Sequence, residues 1–208
     1  SRPDFRSAAL LSGLVSKLQL EEAERALTEE VDSDRDQLAT VLTEGLVADD
    51  QLAAKLVDLG ILTAYQSAQL QAGRTKLNLG PYRVTDYIDK GGMGQVYKAE
   101  HEVMGRVVAV KVLPLDKATP DAIENFRREI RTQAQLDHSH LVAAFDAGRE
   151  GRVHYLVTEY VPGVDLRRLV RTNGPLPMHQ AAGIIMQAAR GLAYAHHRGL
   201  IHRDVKPG

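Results

Sequence analysis

Four charged side chains and one glycine run carry most of the chemistry this sequence offers. In Asp89-Lys90-Gly91-Gly92-Met93-Gly94-Gln95-Val96-Tyr97-Lys98-Ala99, glycines stand between two stretches that read as strands. Backbone amides in such a turn can lie close over phosphates, because no Cβ obstructs the approach. A dinucleotide-binding turn needs a helix after its glycines, whereas Gln95 to Glu100 reads as strand, and the Gly-Lys-Ser/Thr of a Walker A loop is absent. By itself the run is equally what an ordinary tight turn looks like. Lys111 sits in Arg106-Val107-Val108-Ala109-Val110-Lys111-Val112-Leu113, a buried-type strand where a cation needs an anionic partner or a route to water for its head. Glu129, in Phe126-Arg127-Arg128-Glu129-Ile130, is the natural counter-ion candidate, or else a solvated helix glutamate. Leu200-Ile201-His202-Arg203-Asp204-Val205-Lys206-Pro207 adds a carboxylate and an ammonium two residues apart.

These groups need elements to hold them. Tyr82 to Ile88 alternates, is rich in β-branched and aromatic residues, and predicts a strand leading into the glycines. Thr119-Pro120-Asp121 opens the helix that carries Glu129, with Pro at or near its first position. A long helix from about Met178 to Arg198 precedes the Asp204 segment. Upstream, Gly73 to Pro81 has the character of a short linker. From Asp4 to Ala72, apolar residues recur at helical spacing (Leu10, Leu11, Leu14, Val15, Leu18, then Leu38, Val41, Leu42), with breaks near Gly13, Asp32 to Asp36, Gly45 and Gly60. Two breaks look alike, Glu44 to Gln51 and Leu59 to Gln66: a Gly that ends one helix, two aliphatics, then Asp or Thr to cap the next. A weaker third copy is read at Leu18 to Ala23. Nothing in this first part clusters His, Asp or Ser into a reactive set, so a docking or spacing bundle is favoured over a regulatory domain.

Composition agrees with two regions. The 208 residues are 44% apolar and 25% charged, an ordinary globular mix. The net charge of −1 hides an asymmetry: 13 acidic against 7 basic residues up to Thr75, then 14 against 19 from Lys76 on. A change of charge sign is a boundary signal. Without Cys, disulfides and thiolate chemistry are excluded. No apolar run reaches the roughly 18 residues of a membrane helix. The absence of an export signal suggests a cytoplasmic protein, and the missing initiator Met suggests a piece of something longer. Arg127, Arg128, Arg131 and Arg167, Arg168, Arg171 recur at helical spacing without interleaved aromatics, so they read as solvated faces rather than a nucleic-acid surface.

In this order the glycine run, Val-Ala-Val-Lys, the helical Glu and His-Arg-Asp resemble the eukaryotic-type (Hanks-type) protein kinase family. Gly-Gly-Met-Gly-x-Val-Tyr points to its bacterial serine/threonine branch. The resemblance runs from about Tyr82 to Gly208. It implies an α+β chain: an all-α N-terminal helical module (1–75), a linker (76–81), then an incomplete kinase domain (82–208). The small lobe, an antiparallel sheet with one helix, would span about 82–161, and the start of the large lobe 162–208. It implies that Lys111, held by Glu129, binds the α- and β-phosphates of ATP, with Gly91, Gly92 and Gly94 letting the loop cover them. Asp204 would accept or orient the substrate hydroxyl, and Lys206 would stabilise charge on the transferred phosphoryl group. Val96 and Ala109 would cover adenine, the Glu159 carbonyl and Val161 backbone would bond it, Thr158 would be the gatekeeper, and Asp165 would be an acidic ribose contact. Arg203 stands where relatives receive an activation-loop phosphate. His138 to Val142 would form the turn after the regulatory helix. Partners implied are ATP, Mg²⁺ and protein substrates, with a docking partner for the helical module. No metal ligand is assigned; those for Mg²⁺ are expected beyond residue 208.

Two departures matter. Asp89 stands where the loop's first glycine belongs, and a carboxylate beside phosphates predicts weakened ATP affinity. The sequence also stops before the family's Asn and Asp-Phe-Gly, so the chain as given is expected to be inactive, with the apolar face around Ile184, Ile185, Ala188, Leu192 and Tyr194 uncovered. The alternatives are a non-catalytic nucleotide-binding or scaffolding protein, or an adaptor whose helical module is the functional part. An autoinhibitory contact between acidic module and basic lobe is a further expectation.

Overall fold

The computed structural model describes residues 3–33, 48–90 and 94–207. Gly45, Gly91, Gly92 and the expected break after Asp32 to Asp36 therefore fall wholly or partly outside the described residues. The chain separates into two compact units, Ser1–Tyr87 with Ala99–Met104, and Ile88–Lys98 with Gly105–Gly208.

In the first unit, helices α1 (Phe5–Ser12), α2 (Lys17–Ser33), α3 (Asp49–Asp58) and α4 (Ala64–Gln71) surround a core of Phe5, Ala8, Ala9, Val15, Leu52, Leu56, Leu62 and Leu70. Their ends follow local rules. Gly13 and Gly60 adopt φ of 72° and 69°, the left-handed conformation that ends a helix cheaply for glycine. Thr63 starts α4 with a capping box, accepting from the Gln66 backbone N–H while the Gln66 side chain accepts from the Thr63 N–H. Ser16 and Gln19 make the same reciprocal pair at the start of α2. The third copy of the turn therefore lies at Gly13-Leu14-Val15-Ser16-Lys17-Leu18-Gln19, not at Leu18 to Ala23, which is inside α2. Aligned on glycine, Gly13 to Gln19, Gly45 to Gln51 and Gly60 to Gln66 share one pattern, Gly, two aliphatics, a small residue, two variable residues and Gln. Asp49 does not cap its own helix either. The residue at that cap is Ala48, with no side-chain bond, and the Asp49 carboxylate accepts from the Phe5 backbone N–H and the Arg6 guanidinium.

The residues read as a linker are partly structured. Leu77 joins the helical core, and β1 (Asn78–Leu79) pairs antiparallel with the start of β2 (Tyr82–Lys90). The remaining strands are β3 (Gln95–His101), β4 (Val107–Leu113), β5 (Ala144–Glu150) and β6 (Val153–Glu159). Strand order in the sheet is β1-β2-β3-β4-β6-β5. In the second unit, β4 and β5 both pair antiparallel with β6, with Ala109 opposite Thr158 and Lys111 opposite Leu156. Helix α5 (Pro120–Gln133) packs Phe126 against Leu113 and Leu156. Its start is as expected, with Pro120 at the first position and the Thr119 hydroxyl accepting from the Ala122 N–H. Helices α6 (Leu166–Asn173) and α7 (Met178–His197) follow. The mixed α and β class expected from sequence is the one found.

Candidate active site

Lys111 and Glu129 meet. The strand β4 brings Lys111 Nζ to 2.6 Å from Glu129 Oε1 of α5, with each side chain 25% exposed. The reason lies in the two elements. Lys111 lies on a different face of β4 from its buried neighbours Val110 and Val112, and Phe126 fixes α5 so that the turn carrying Glu129 faces the strand. Removing one partner of such a half-buried pair strands the other charge, which is the costly change. The second Glu129 oxygen, Oε2, and Gln133 Oε1 one turn later are both buried without a hydrogen-bond partner. Two acceptors open in one neighbourhood are unusual in a finished core, where buried polar atoms are nearly always paired. No sequence argument singled out Gln133; a polar residue four positions from the paired Glu, on the same helix face, was the available signal.

The residues expected to face nucleotide lie on β3, on β4, and at or just beyond the end of β6. Ala109 and Thr158 are cross-strand partners, and the Thr158 hydroxyl lies 3.5 Å from the Ala109 carbonyl. Val96 and Ala109 are half-buried, while Glu159 and Val161 are exposed at the end of β6 and beyond it. Glu159 is anchored through its N–H to the Ala143 carbonyl. Lys98 Nζ lies 5.0 Å above the Tyr160 ring, a cation–π contact that the sequence reading missed and that ties β3 to the segment after β6. Gly94 also has a packing reason for being glycine. A Cβ there would stand 2.2 Å from the Val112 carbonyl, so the missing side chain lets two strands approach. Asp89, at the exposed end of β2, accepts from the Lys90 N–H.

The Asp204 segment is exposed and bent. Arg203 has φ of 63°, a left-handed conformation that costs a non-glycine residue energy and gathers at functional sites. Lys206 Nζ lies 2.8 Å from Asp204 Oδ2, and this hydrogen bond, with the charge of Lys206, lowers the Asp204 carboxyl below its ordinary range. The two residues given separate tasks thus pair with each other. Asp165 caps α6, accepting from the Arg168 N–H at 2.7 Å, and the preceding helical N–H, of Arg167, donates to the Pro207 carbonyl. That contact joins the start of α6 to the Asp204 segment. The turn at His138 to Val142 is held by α7: a Cβ on Gly191 would come within 2.9 Å of the His140 carbonyl, and the Tyr194 hydroxyl accepts from the Asp137 N–H. Ile185 and Met186 of α7 are exposed, and a shallow apolar cavity of about 470 Å³ lies among Leu166, Val170, Leu176, Ile184 and Ile185.

This geometry, a lysine on a central strand paired with a helix glutamate and a bent His-Arg-Asp segment, defines a protein kinase lobe, and comparison with known proteins agrees. Residues 82–208 match the family described as Protein kinase domain, and the chain belongs to that family. Among its relatives, it is 40% identical over 129 residues to serine/threonine-protein kinase PrkC of Bacillus subtilis, covering 62% of this chain and 20% of that protein. It is 44% identical over 135 residues to serine/threonine-protein kinase PknA of Mycobacterium tuberculosis, covering 62% of this chain and 31% of that one. In three dimensions it resembles the kinase domain of Mycobacterium tuberculosis PknI, with a TM-score of 0.54 and 32% identity over 62% of this chain and 54% of that one. The chain spans a fifth to about a third of the length of these two curated relatives. It is a member of the bacterial Hanks-type serine/threonine kinases, represented by the N-terminal part of the catalytic domain. No described helix is long and apolar enough to cross a membrane.

Proposed function

We propose that the protein carrying this chain is a serine/threonine protein kinase, transferring the γ-phosphoryl group of ATP to protein hydroxyls. The observation that carries the reading is the Lys111–Glu129 pair at 2.6 Å. In a loose phosphoryl transition state, catalysis is mostly positioning and charge neutralisation. Lys111, oriented by Glu129, contributes a fixed cation for the α- and β-phosphates. Val96 and Ala109 offer apolar cover for adenine, with the Glu159 carbonyl and Val161 backbone as its polar edge and Asp165 near the ribose. Asp204, whose carboxyl Lys206 holds below its ordinary range, can accept a hydrogen bond from a substrate hydroxyl. Lys206 then stands beside both the hydroxyl and the phosphoryl group it receives. Mg²⁺, when bound with ATP, supplies further charge neutralisation.

We divide the chain into a helical module (1–75), a connector (76–81) and a kinase domain (82–208), in a cytoplasmic protein whose module docks a partner. Titration of the 208-residue chain with MgATP tests the nucleotide half of this reading. Lys111→Met should weaken binding tenfold or more; a wild-type chain that ignores MgATP overturns it. Phosphotransfer to a Ser/Thr peptide by the longer protein, abolished by Asp204→Asn, tests the chemistry. Asp89 in the first loop position favours a second reading, a lobe that binds nucleotide without transfer. Binding without phosphotransfer in the longer protein selects that one.

A further inference from the structure

The capping box of α4 does more than start a helix. The Thr63 hydroxyl, whose oxygen accepts from the Gln66 N–H, also donates to the Thr85 carbonyl at 2.6 Å. The Gln66 side chain, 3% exposed, accepts from the Thr63 N–H through Oε1 and donates through Nε2 to the Val84 carbonyl at 2.8 Å. Thr85 and Val84 belong to β2. The same strand is fastened again by the Val84 N–H on the Leu77 carbonyl, with Leu77 in the helical core. Two consecutive carbonyls of β2 are thus held by two side chains that also cap a helix. A capping box alone needs no donor directed away from its own helix. In the two related turns, Ser16–Gln19 and Ala48–Gln51, no comparable side-chain bond to a strand is present among the described residues. Strand β2 runs without a break to Asp89 and Lys90, at the entry to the glycine run.

We propose that Thr63 and Gln66 are positioning residues of the nucleotide lobe: the turn that begins α4 clamps β2 through the Val84 and Thr85 carbonyls and so sets the strand that delivers Asp89 and Lys90. The helical core is then a support of β2 itself. The consequence for nucleotide rests on the kinase reading above; the clamping of the strand does not.

The test separates capping from clamping. Thr63→Asp keeps a good helix-capping acceptor but removes the donor to the Thr85 carbonyl. Gln66→Met removes the Nε2 donor at similar volume. In the 208-residue chain, amide hydrogen exchange over residues 82–90 should quicken about tenfold in either variant, while α4 stays protected in Thr63→Asp. MgATP affinity should fall about fivefold, the equivalent of one net hydrogen bond. Thr63→Ser should match the wild type in both measurements. Unchanged exchange in β2, or loss of α4 protection in both variants, overturns the proposal. So does faster β2 exchange with unaltered MgATP affinity when Lys111→Met abolishes binding. If Lys111→Met binds MgATP as the wild type does, the kinase reading fails instead, and the exchange data alone decide the clamp.

Discussion

The helical unit and the strand-rich unit treat their polar groups in opposite ways. In the first, Gln66 and Ser67 are buried and each has a partner, and Arg6 is shared between Glu24 and Asp49. Its charges close on themselves and tie α1 to α2 and α3. In the second, Glu129 Oε2 and Gln133 Oε1 are buried and unpaired, and Arg203 sits in a left-handed conformation. Satisfied polar groups hold an architecture, and a left-handed non-glycine residue is local strain of the kind that gathers at functional sites.

Three substitutions break or sharpen that contrast. The largest effect is expected from Leu56→Ala in the helical core, where the side chain is 0% exposed. Loss of the buried atoms and the cavity left behind should cost about 3 kcal/mol, read as a lower urea midpoint. A cost below about 1 kcal/mol means that the helical core is not tightly packed. Gly94→Ala comes next. Its Cβ would meet the Val112 carbonyl at 2.2 Å, so the strands must part, at about 1–3 kcal/mol. A neutral result in the same urea titration removes the close-approach explanation and returns Gly94 to a purely nucleotide role. The smallest effect is electrostatic. Lys206 lowers the Asp204 carboxyl, so Lys206→Ala should raise its titration midpoint toward the ordinary value. The sign follows directly: with the lysine gone, less of Asp204 is ionised at mildly acidic pH. Side-chain carboxyl NMR checks this, and an unmoved midpoint shows that the pair does not persist in solution.

Much of this was legible in the sequence because it is local. The strand from Tyr82, the strand carrying Lys111, the Thr119-Pro120 helix start and the helix from Met178 all lie where periodicity and capping residues put them. The glycine–aliphatic turns were visible too, although the third copy was misplaced. Its cue, Gln three residues after Ser16, is a hydrogen-bond partner and not a hydrophobic signal. Glu129 could be nominated as the counter-ion of Lys111 from the residues, but only the family resemblance favoured that over an ordinary solvated glutamate.

What tertiary structure decided are the pairings across long sequence separations. That Asp49 serves the start of α1, that Gly94 yields space to Val112, that Gln133 is left without a donor, and that Thr63 and Gln66 hold β2 depend on which backbone groups meet once the elements pack. A sequence written one residue at a time specifies each group's capacity to donate, accept or exclude. Which partner it finds is set by the packing of elements far apart in the chain, as when Thr63 and Gln66 meet the Thr85 and Val84 carbonyls.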